Sequence, residues 1–205
     1  IMEESFICPA RTSSVVVSNI SISTPSISNT SPVNAVLPSH FSKEISPEKV
    51  LELYKLLGVT LPGKVAVKVH SGEKGNQNFL KPDFWKPIID FVGGTVVECN
   101  TAYEGARNTT ERHIQLMNYH GWTDFYDVDI LDADGPDLEL DIPNGEKIKK
   151  NFVGKNIENY DSMLVLSHFK GHPMGGYGGA IKQLSIGVAS SYGKGYIHGV
   201  GNPEN

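Results

Sequence analysis

The sequence predicts an α/β fold, with a mostly parallel sheet, helices on both faces and one inserted antiparallel hairpin. Helical spacing of apolar residues alternates along the chain with short β-branched runs, an order typical of βαβ units. The runs are short and largely apolar, as in strands covered on both faces. Asn144 and Gly145 stand between two alternating runs, which is a strong hairpin signal. We expect a single α/β domain over residues 1–205.

The first predicted element is a strand in the β-branched run 12–23, where apolar and polar residues alternate. A stretch rich in Ser, Pro and Asn follows without any period, and we expect an irregular connection over 24–45. A Ser-Pro pair then starts a helix over 47–57, because Ser can cap a helix and Pro suits its first position. Residues 64–70 alternate again and predict a strand that delivers His70 to a loop.

The second half of the chain continues the alternation of helices and strands. An acidic stretch with five aspartates, residues 124–134, matches no EF-hand loop, and we interpret it as solvated surface. The remaining predicted elements are a helix over 82–91, a strand over 95–99, a helix from Thr109 or Thr110 toward Gly121, a hairpin insertion over 137–153, a strand over 163–166 and a helix after Ala180.

The charge balance and the cysteine content limit the classes of partner. The chain has 18 basic and 23 acidic residues and no basic run, so we expect no nucleic acid partner. No stretch approaches the roughly 20 apolar residues of a membrane span. Cys8 and Cys99 are too few for a disulfide framework or an iron–sulfur cluster. We expect small anionic molecules or proteins as partners and a cytoplasmic location, with a removed export signal left open.

The densest chemistry follows the predicted strand over 163–166. His168, Lys170 and His172 come directly after its carboxyl end, where open α/β sheets bind ligands. We predict His168 and His172 as catalytic residues and Lys170 as a cofactor-binding residue. The two histidines also have a spacing that could chelate zinc on a helix, but the neighbouring Gly and Pro residues disfavour a helix there.

A glycine-rich run leads from these residues to the helix predicted after Ala180. Glycine backbone can approach an anion closely, and the amino end of a helix can hold phosphate. A tight turn with close helix packing is the alternative explanation, and the spacing matches neither a P-loop nor a dinucleotide-binding loop. The predicted cofactor-binding residues of this segment are Lys182, Gly175, Gly176, Gly178 and Gly179.

Further candidates occupy the loops after the two preceding strands. His70 ends one predicted strand, and Asn100 and Arg107 lie in the loop after the next. Arg107 could bind a carboxylate or phosphate through two parallel hydrogen bonds. We predict all three as substrate-binding residues, with solvated loop positions as the alternative. Three other histidines are interpreted as structural or surface residues: His40, His113 and His120.

Several of these motifs closely resemble an uncharacterised prokaryotic family, a domain of unknown function often joined to a carboxyl-terminal ferredoxin-like domain. The resembling segments are residues 64–75, 100–105, 167–172 and the glycine run, within about 60–200. The resemblance implies no established activity. The sequence departs from the pattern at Glu98 and Cys99, and it lacks the cysteine clusters of a ferredoxin part.

Residues 172–190 are more distantly similar to the active-site segment of nickel-pincer lactate racemases. The similarity implies that Lys182 tethers a pyridinium-derived cofactor, that His198 ligates nickel and that His172 moves a substrate proton. The chain is much shorter than those racemases, and the second domain that closes their cleft has no counterpart. A partner domain or a second copy of the chain would then close the site.

Two functional hypotheses follow. The first is a metal- or cofactor-dependent enzyme, similar to a racemase or epimerase, that moves a proton or hydride on a small anionic metabolite. The cofactor would be of the nickel-pincer type or another metal. The alternative is a binding module for an anion or cofactor that performs no catalysis, formerly or optionally partnered with an iron–sulfur domain.

Overall fold

A computed structural model describes residues 15–21, 40–172 and 175–202. Cys8 and residues 24–39 of the predicted connection lie outside the described residues. The strands are β1 (Val15–Ser21), β2 (Val65–Lys68), β3 (Thr95–Glu98), β4 (Val128–Ile130), β5 (Leu138–Asp141), β6 (Lys150–Val153), β7 (Ser162–His168), β8 (Lys170–His172) and β9 (Gly176–Gly178). The α-helices are α1 (Pro47–Leu56), α2 (Pro82–Val92), α3 (Thr110–Tyr119), α4 (Ala180–Val188) and α5 (Ser191–His198).

The main sheet has five strands in the order β1-β7-β2-β3-β4. Strands β7, β2, β3 and β4 are parallel, and β1 pairs antiparallel with β7 at the edge. Two antiparallel ribbons stand apart from this sheet, β5 with β6 and β8 with β9. This architecture confirms the predicted α/β fold with a mostly parallel sheet.

Local capping explains where the helices begin and end. Ser46 accepts a hydrogen bond from the backbone N–H of Lys49 at the start of α1, and Thr109 accepts one from Arg112 at the start of α3. Helix α2 ends at Gly93, which adopts φ +64° and donates its N–H to the carbonyl of Ile89. Glycine suits this left-handed position because it has no Cβ.

Both faces of the sheet are buried, as predicted for short apolar strands. On one face, β2, β3, β4 and β7 contribute Val67, Val96, Ile130 and Leu164, which pack in a single cluster with Trp85 of α2 and other side chains from α1 and α3. The other face is covered by α4, by β6 and by a short 3-10 helix over Lys155–Asn159. The cluster on this face consists of Ala66, Val97, Cys99, Leu131, Val153, Tyr160, Met163, Val165 and Val188.

The inserted hairpin is present, but its turn is wider than the Asn-Gly signal predicted. The second strand begins at Lys150 instead of residue 146. The backbone N–H of Ile142 donates to the carbonyl of Lys149 at 2.8 Å, so the ladder stops there and a six-residue loop remains. Asn144 takes a positive φ of 62° within this loop. Asn-Gly therefore shapes part of the loop and is not the whole connection.

The interpretation of residues 124–134 as solvated surface was wrong for two of the five aspartates. Asp129 lies in β4 and accepts hydrogen bonds from Tyr160 and Asn156, at 2.9 and 3.0 Å. Asp132 accepts from the backbone N–H groups of Asn100 and Ser191, both at 2.8 Å. These partners are distant in sequence, so the local pattern contained no sign of them. The other three aspartates are exposed.

The carboxyl-terminal segment is attached to the ends of β2 and β7. Helix α4 follows the β8–β9 ribbon, as the apolar run after Ala180 predicted. The Gln183 side chain donates to the carbonyls of Lys68 and Leu166, at 3.2 and 3.1 Å. These carbonyls lie at the ends of β2 and β7, so Gln183 attaches the start of α4 to the carboxyl edge of the sheet. Within the described part of the chain, no helix is long and apolar enough to cross a bilayer.

Candidate functional site

The carboxyl ends of β2, β3 and β7 bring several charged groups to one edge of the sheet. Lys68 and Glu98, the last residues of β2 and β3, form a buried ion pair with a distance of 2.5 Å between Nζ and Oε2. The Lys68 ammonium also donates to the carbonyl of Val69 at 2.8 Å. Glu98 Oε1 accepts from the backbone N–H of Ser71 at 2.8 Å. Each charge therefore has hydrogen-bonding partners, as buried charges require.

Glu98 remains ionised although it is completely buried. Burial by itself raises the pKa of this carboxyl group, but the charge of Lys68 and the neighbouring His113 and Arg107 outweigh it. The pKa of Glu98 therefore lies well below its usual range. We refer to Lys68, Ser71, Glu98, Asn100, Arg107 and His113 as the strand-end network.

His113 lies on α3 and is fully buried against this network. Its Nε2 lies 3.3 Å from Ser71 Oγ, and its Nδ1 lies 3.3 Å from Asn100 Oδ1. Burial is the largest cause that lowers the pKa of His113 to about 4, against the opposing charge of Glu98. The imidazole is therefore neutral at pH 7 and ties α3 to the two strand-end loops.

Asn100, predicted to bind substrate, has partners within the protein for its side-chain amide. Its Nδ2 donates to Thr110 Oγ1 at 3.1 Å, and its Oδ1 faces His113. Its backbone N–H donates to Asp132. The substrate-binding role stays a prediction, and a ligand at the Asn100 side chain would have to compete with these hydrogen bonds.

Arg107, the second predicted substrate-binding residue of this loop, is buried and paired with acidic groups. Its Nη2 donates to Glu73 Oε1 and to the Tyr103 hydroxyl, the latter at 3.1 Å. Its Nη1 lies 3.9 Å from Glu98 Oε1. The Arg107 Nε is also buried, and it has no hydrogen-bond partner within the described residues. The guanidinium thus retains one donor for a further acceptor.

His70, the third predicted substrate-binding residue, lies just beyond β2 and is partly buried. Burial lowers its pKa to about 3, and the charge of Lys170 lowers it further against the opposing effect of Glu98. The charge of the β8–β9 ribbon therefore acts on the loop after β2. His70 is neutral at pH 7.

His168 and Lys170 stand at the junction of β7 and β8. The His168 Nδ1 is buried and has no partner among the described residues, and burial followed by the charge of Lys170 lowers the pKa of His168 to about 4. Desolvation also lowers the pKa of Lys170 to about 8, with Glu98 opposing and with Arg107, Lys182 and Lys68 adding to the decrease. Charged residues of the strand-end network and Lys182 of α4 therefore both influence the pKa of Lys170.

The racemase similarity predicts roles for His172, Lys182 and His198, and the charges of the last two act on His172. Burial lowers the pKa of His172, and the charges of Lys182 and His198 lower it further. The backbone N–H of Gly175 donates to His172 Nδ1 at 3.0 Å and fixes the ring beside the turn of the ribbon. Burial also lowers the pKa of Lys182. His198, the last residue of α5, is exposed to solvent.

Two of the predicted cofactor-binding glycines leave space for neighbouring side chains. A Cβ at Gly178 would lie 3.2 Å from Lys182 Cδ, and one at Gly179 would lie 3.3 Å from the Phe169 ring. Gly176 adopts a positive φ of 74°, which a glycine tolerates best. Gly175 and Gly176 are exposed in the turn of the ribbon. The glycines therefore allow Lys182 to lie closely along the ribbon.

Within residues 15–21, 40–172 and 175–202, no group of three or more His, Cys, Asp or Glu side chains could hold a metal ion. The nickel-ligating role of His198 stays a prediction.

Lys68 and Glu98 were not among the site residues predicted from the sequence. A signal was present: a lysine ends the otherwise apolar run of β2, and a glutamate ends that of β3. In the sheet register Lys68 lies opposite Val97, and its ammonium reaches the carboxylate of the next residue, Glu98, at the end of the two strands. The pairing of Glu73 with Arg107 joins two loops 34 positions apart, and no local pattern indicates it.

Comparison with known proteins locates the chain in a family. A family model described as a domain of unknown function, DUF362, matches residues 65–204. The chain belongs to the DUF362 family. A search of curated proteins and a search of solved structures each found no match.

The DUF362 match begins at β2 and includes the strand-end network and every predicted site residue. This confirms the resemblance to an uncharacterised family. The family description assigns no activity to the DUF362 domain, so its function has to be inferred from the site.

Proposed function

We propose that the DUF362 domain binds a small anionic metabolite at the carboxyl edge of its sheet and moves a proton on it. One observation carries the proposal: burial lowers the pKa of Lys170, and the charges of Arg107, Lys182 and Lys68 lower it further against the opposing charge of Glu98. The lowered pKa of Lys170 means that this crevice disfavours additional positive charge. An anion that binds there would relieve the repulsion among these cations.

The cations differ in accessibility, which suits them to different tasks. Lys68 and Arg107 are buried and paired with Glu98 and Glu73, so each contributes the field of a fixed ion pair. Lys170 and Lys182 are at least partly exposed and can contact a ligand directly. A crevice with low-dielectric walls strengthens such a field compared with open solvent.

The histidines of the site supply groups that can accept a proton. The pKa values of His168 and His172 are lowered, so both rings are neutral at pH 7 and can act as bases. His172 is the better placed, because it interacts with Lys182 and lies at the open turn of the ribbon. We assign it the role of proton acceptor and donor through Nδ1, which has to release the backbone N–H of Gly175 before it takes a proton, with His168 assisting in orientation.

Lys182 is our candidate for tethering a cofactor of the nickel-pincer type, with His198 as a nickel ligand. When bound, such a group would accept and return a hydride from the substrate. Desolvation raises the neutral fraction of the Lys182 amine, which favours a covalent link to a carbonyl group. The clearance at Gly178 and the interaction of Lys182 with His172 fit this arrangement.

The alternative is an anion-binding module without turnover, and one observation favours it. Tyr177 and Ile181, beside the site, are 68% and 87% exposed, so water has access to the ribbon and α4. Catalysis at carbon generally requires that closure excludes water. A partner domain or a second copy of the chain would have to cover this side.

Isotope exchange detects proton transfer even when the complete reaction has not been identified. The full chain, purified from its native host so that any cofactor is present, is incubated in D₂O with 2-hydroxy acids and sugar acids. If the hydrogen leaves the carbon next to the carboxylate as a proton, its proton NMR signal is lost; if a cofactor accepts and returns it as a hydride, the signal is kept and the configuration at that carbon inverts, which chiral chromatography detects. The variants His172→Gln and Lys182→Met should lose the exchange, and Lys74→Met, at an exposed loop position, should retain it.

Two results would count against the proposal, one against catalysis alone and the other against both catalysis and anion binding. Anion binding with neither exchange nor inversion for any substrate would favour the binding module. Absence of both exchange and anion binding would overturn the proposal as a whole. Intact-mass spectrometry of the same preparation tests the cofactor separately, since a tethered cofactor gives a mass increase that maps to Lys182.

A further inference from the structure

We infer that Glu73 occupies the place of a ligand carboxylate on Arg107 and leaves it when the ligand binds. The inference rests on the proposed anion-binding function and deepens it, since it names the group that the anion displaces. In the free protein, Glu73 acts as an internal competitor. The ligand class is a small metabolite with a carboxylate.

Three polar groups form the proposed subsite. Glu73 Oε1 accepts hydrogen bonds from Arg107 Nη2 and from the Tyr103 hydroxyl, the latter at 2.6 Å. The Arg107 and Tyr103 donors are also 3.1 Å apart, so both converge on one oxygen position. The neighbouring Arg107 Nε is buried and has no partner within the described residues. A ligand carboxylate could use both Nη2 and Nε, the bidentate arrangement that guanidinium favours.

The two carboxylates near Arg107 differ in how firmly they are held. Glu98 is buried, paired with Lys68 and bonded to the backbone of Ser71. The Glu73 side chain is 39% exposed, whereas that of Arg107 is only 9% exposed. Glu73 can therefore turn into solvent, and Glu98 cannot.

The loop around Glu73 allows its side chain to leave without unfolding. Glu73 starts a turn in which its carbonyl accepts from the N–H of Asn76 at 3.1 Å. Gly72 packs against the Phe79 ring, which holds the backbone on that side of the turn. Rotation of the Glu73 side chain would leave these backbone contacts in place.

Exchange of one carboxylate for another has a physical rationale. A buried arginine without a counter-ion is strongly destabilising, and Glu73 prevents this state in the free protein. An incoming carboxylate carries the same charge, so Arg107 remains paired throughout. A phosphate dianion would place two negative charges on the one group that contacts Arg107, next to Glu98, whereas malonate carries its two charges on separate carboxylates and presents only one to the guanidinium; for this reason we commit to a carboxylate.

The test measures binding of malonate and of inorganic phosphate to the full chain by calorimetry. Glu73→Gln removes the competing charge and should tighten malonate binding about tenfold, an effect within the range of close charge pairs. Glu104→Gln is the matched control, because Glu104 lies on the neighbouring loop with a side chain that is 91% exposed. We expect no change in the control.

A second measurement locates the ligand at Arg107 and requires no substitution of Arg107 itself. Malonate should shift the NMR resonance of the Arg107 Nε–H group, and the shift should occur at lower concentration in Glu73→Gln. Equal or weaker malonate binding by Glu73→Gln would overturn the inference, as would preference for phosphate. If wild type binds malonate through Lys170 without any change at Arg107, this inference fails while the proposed function stands. No binding in any variant, together with no isotope exchange, would defeat both.

Discussion

The strand-end network and the ribbon with α4 lie at the same edge of the sheet, yet they are built in opposite ways. In the network, Lys68, Glu98 and His113 are buried. Lys68 and Glu98 bond to each other, and His113 bonds to the side chains of Ser71 and Asn100. In the ribbon and α4, several glycines and two large apolar side chains, Tyr177 and Ile181, face solvent. One region is preorganised, and the other is open on one side.

The comparison shows which side chains of a site can have a fixed geometry in the free protein, without a ligand or partner. Buried charges must be paired in the free protein, so the network already has a fixed geometry. Exposed groups such as Lys182 and His172 gain a defined environment only when a ligand or partner covers them. We therefore expect mutations in the network to affect stability first and mutations in the ribbon to affect binding first.

The largest expected effect is the loss of the Glu98 carboxylate. Glu98→Ala leaves Lys68 buried without its partner and should lower the free energy of unfolding by about 3–5 kcal/mol. Urea denaturation measures this change. Glu104→Ala, at an exposed position, should change the free energy of unfolding by less than about 0.5 kcal/mol.

A double variant keeps this prediction testable if Glu98→Ala does not fold. Lys68→Met combined with Glu98→Leu removes both charges and should recover most of the lost stability, because no buried charge remains unpaired. If the single and double variants were equally unstable, packing at this position would matter more than the ion pair.

The second prediction concerns pH and again addresses the network. Because the pKa of His113 is lowered to about 4 in the folded state, the unfolded chain binds more protons between about pH 6.5 and pH 4. His113 therefore contributes stability that is present above pH 6.5 and is lost as the pH falls toward 4. Its full contribution is on the order of 3 kcal/mol.

Urea denaturation at several pH values between 7 and 4 measures this loss. His113→Asn should have a smaller slope of stability against pH than the wild type. His40→Asn, at an exposed position, serves as the control and should follow the wild type. An unchanged slope in His113→Asn would mean that other groups account for the acid sensitivity.

The smallest effect is expected in the open region. Ile181→Ala should change the free energy of unfolding by less than about 0.5 kcal/mol, because the side chain is 87% exposed. The matched control is Ile88→Ala on α2, where the same substitution in the core should cost about 2–5 kcal/mol. A large loss in Ile181→Ala would contradict the comparison and would mean that α4 is packed more tightly than its exposure indicates.

Local patterns predicted most of the fold. Helix α1 and strand β7 follow from capping and apolar periodicity, which act over a few residues and can be read directly. The acidic stretch misled the interpretation because Asp129 lies in a three-residue strand, too short for an alternation to be visible. Its hydrogen-bond partner Tyr160 is 31 positions away, and no local rule connects them.

The site could be predicted only where its residues are close in sequence. His168, Lys170 and His172 follow one strand, so their common location was evident. The Lys68–Glu98 pair depends on which strands become neighbours, which is a property of the whole sheet. For Arg107, the sequence indicated the chemistry of an anion-binding group, but only the fold reveals that Glu73 already contacts it.

The strand order also has a consequence for synthesis on the ribosome. Strand β2 lies between β3 and β7 in the sheet. The last residue of β3, Glu98, is 30 positions beyond Lys68, whereas β7 leaves the ribosome much later. At the start of β2, the backbone N–H of Lys64 bonds to the Asp161 carboxylate across 97 positions. One edge of β2 thus stays unpaired in the nascent chain until β7 appears, a delay that favours slow folding and aggregation. Because β7 ends at His168, the sheet is completed just before the ribbon and helix α4 of the candidate site emerge.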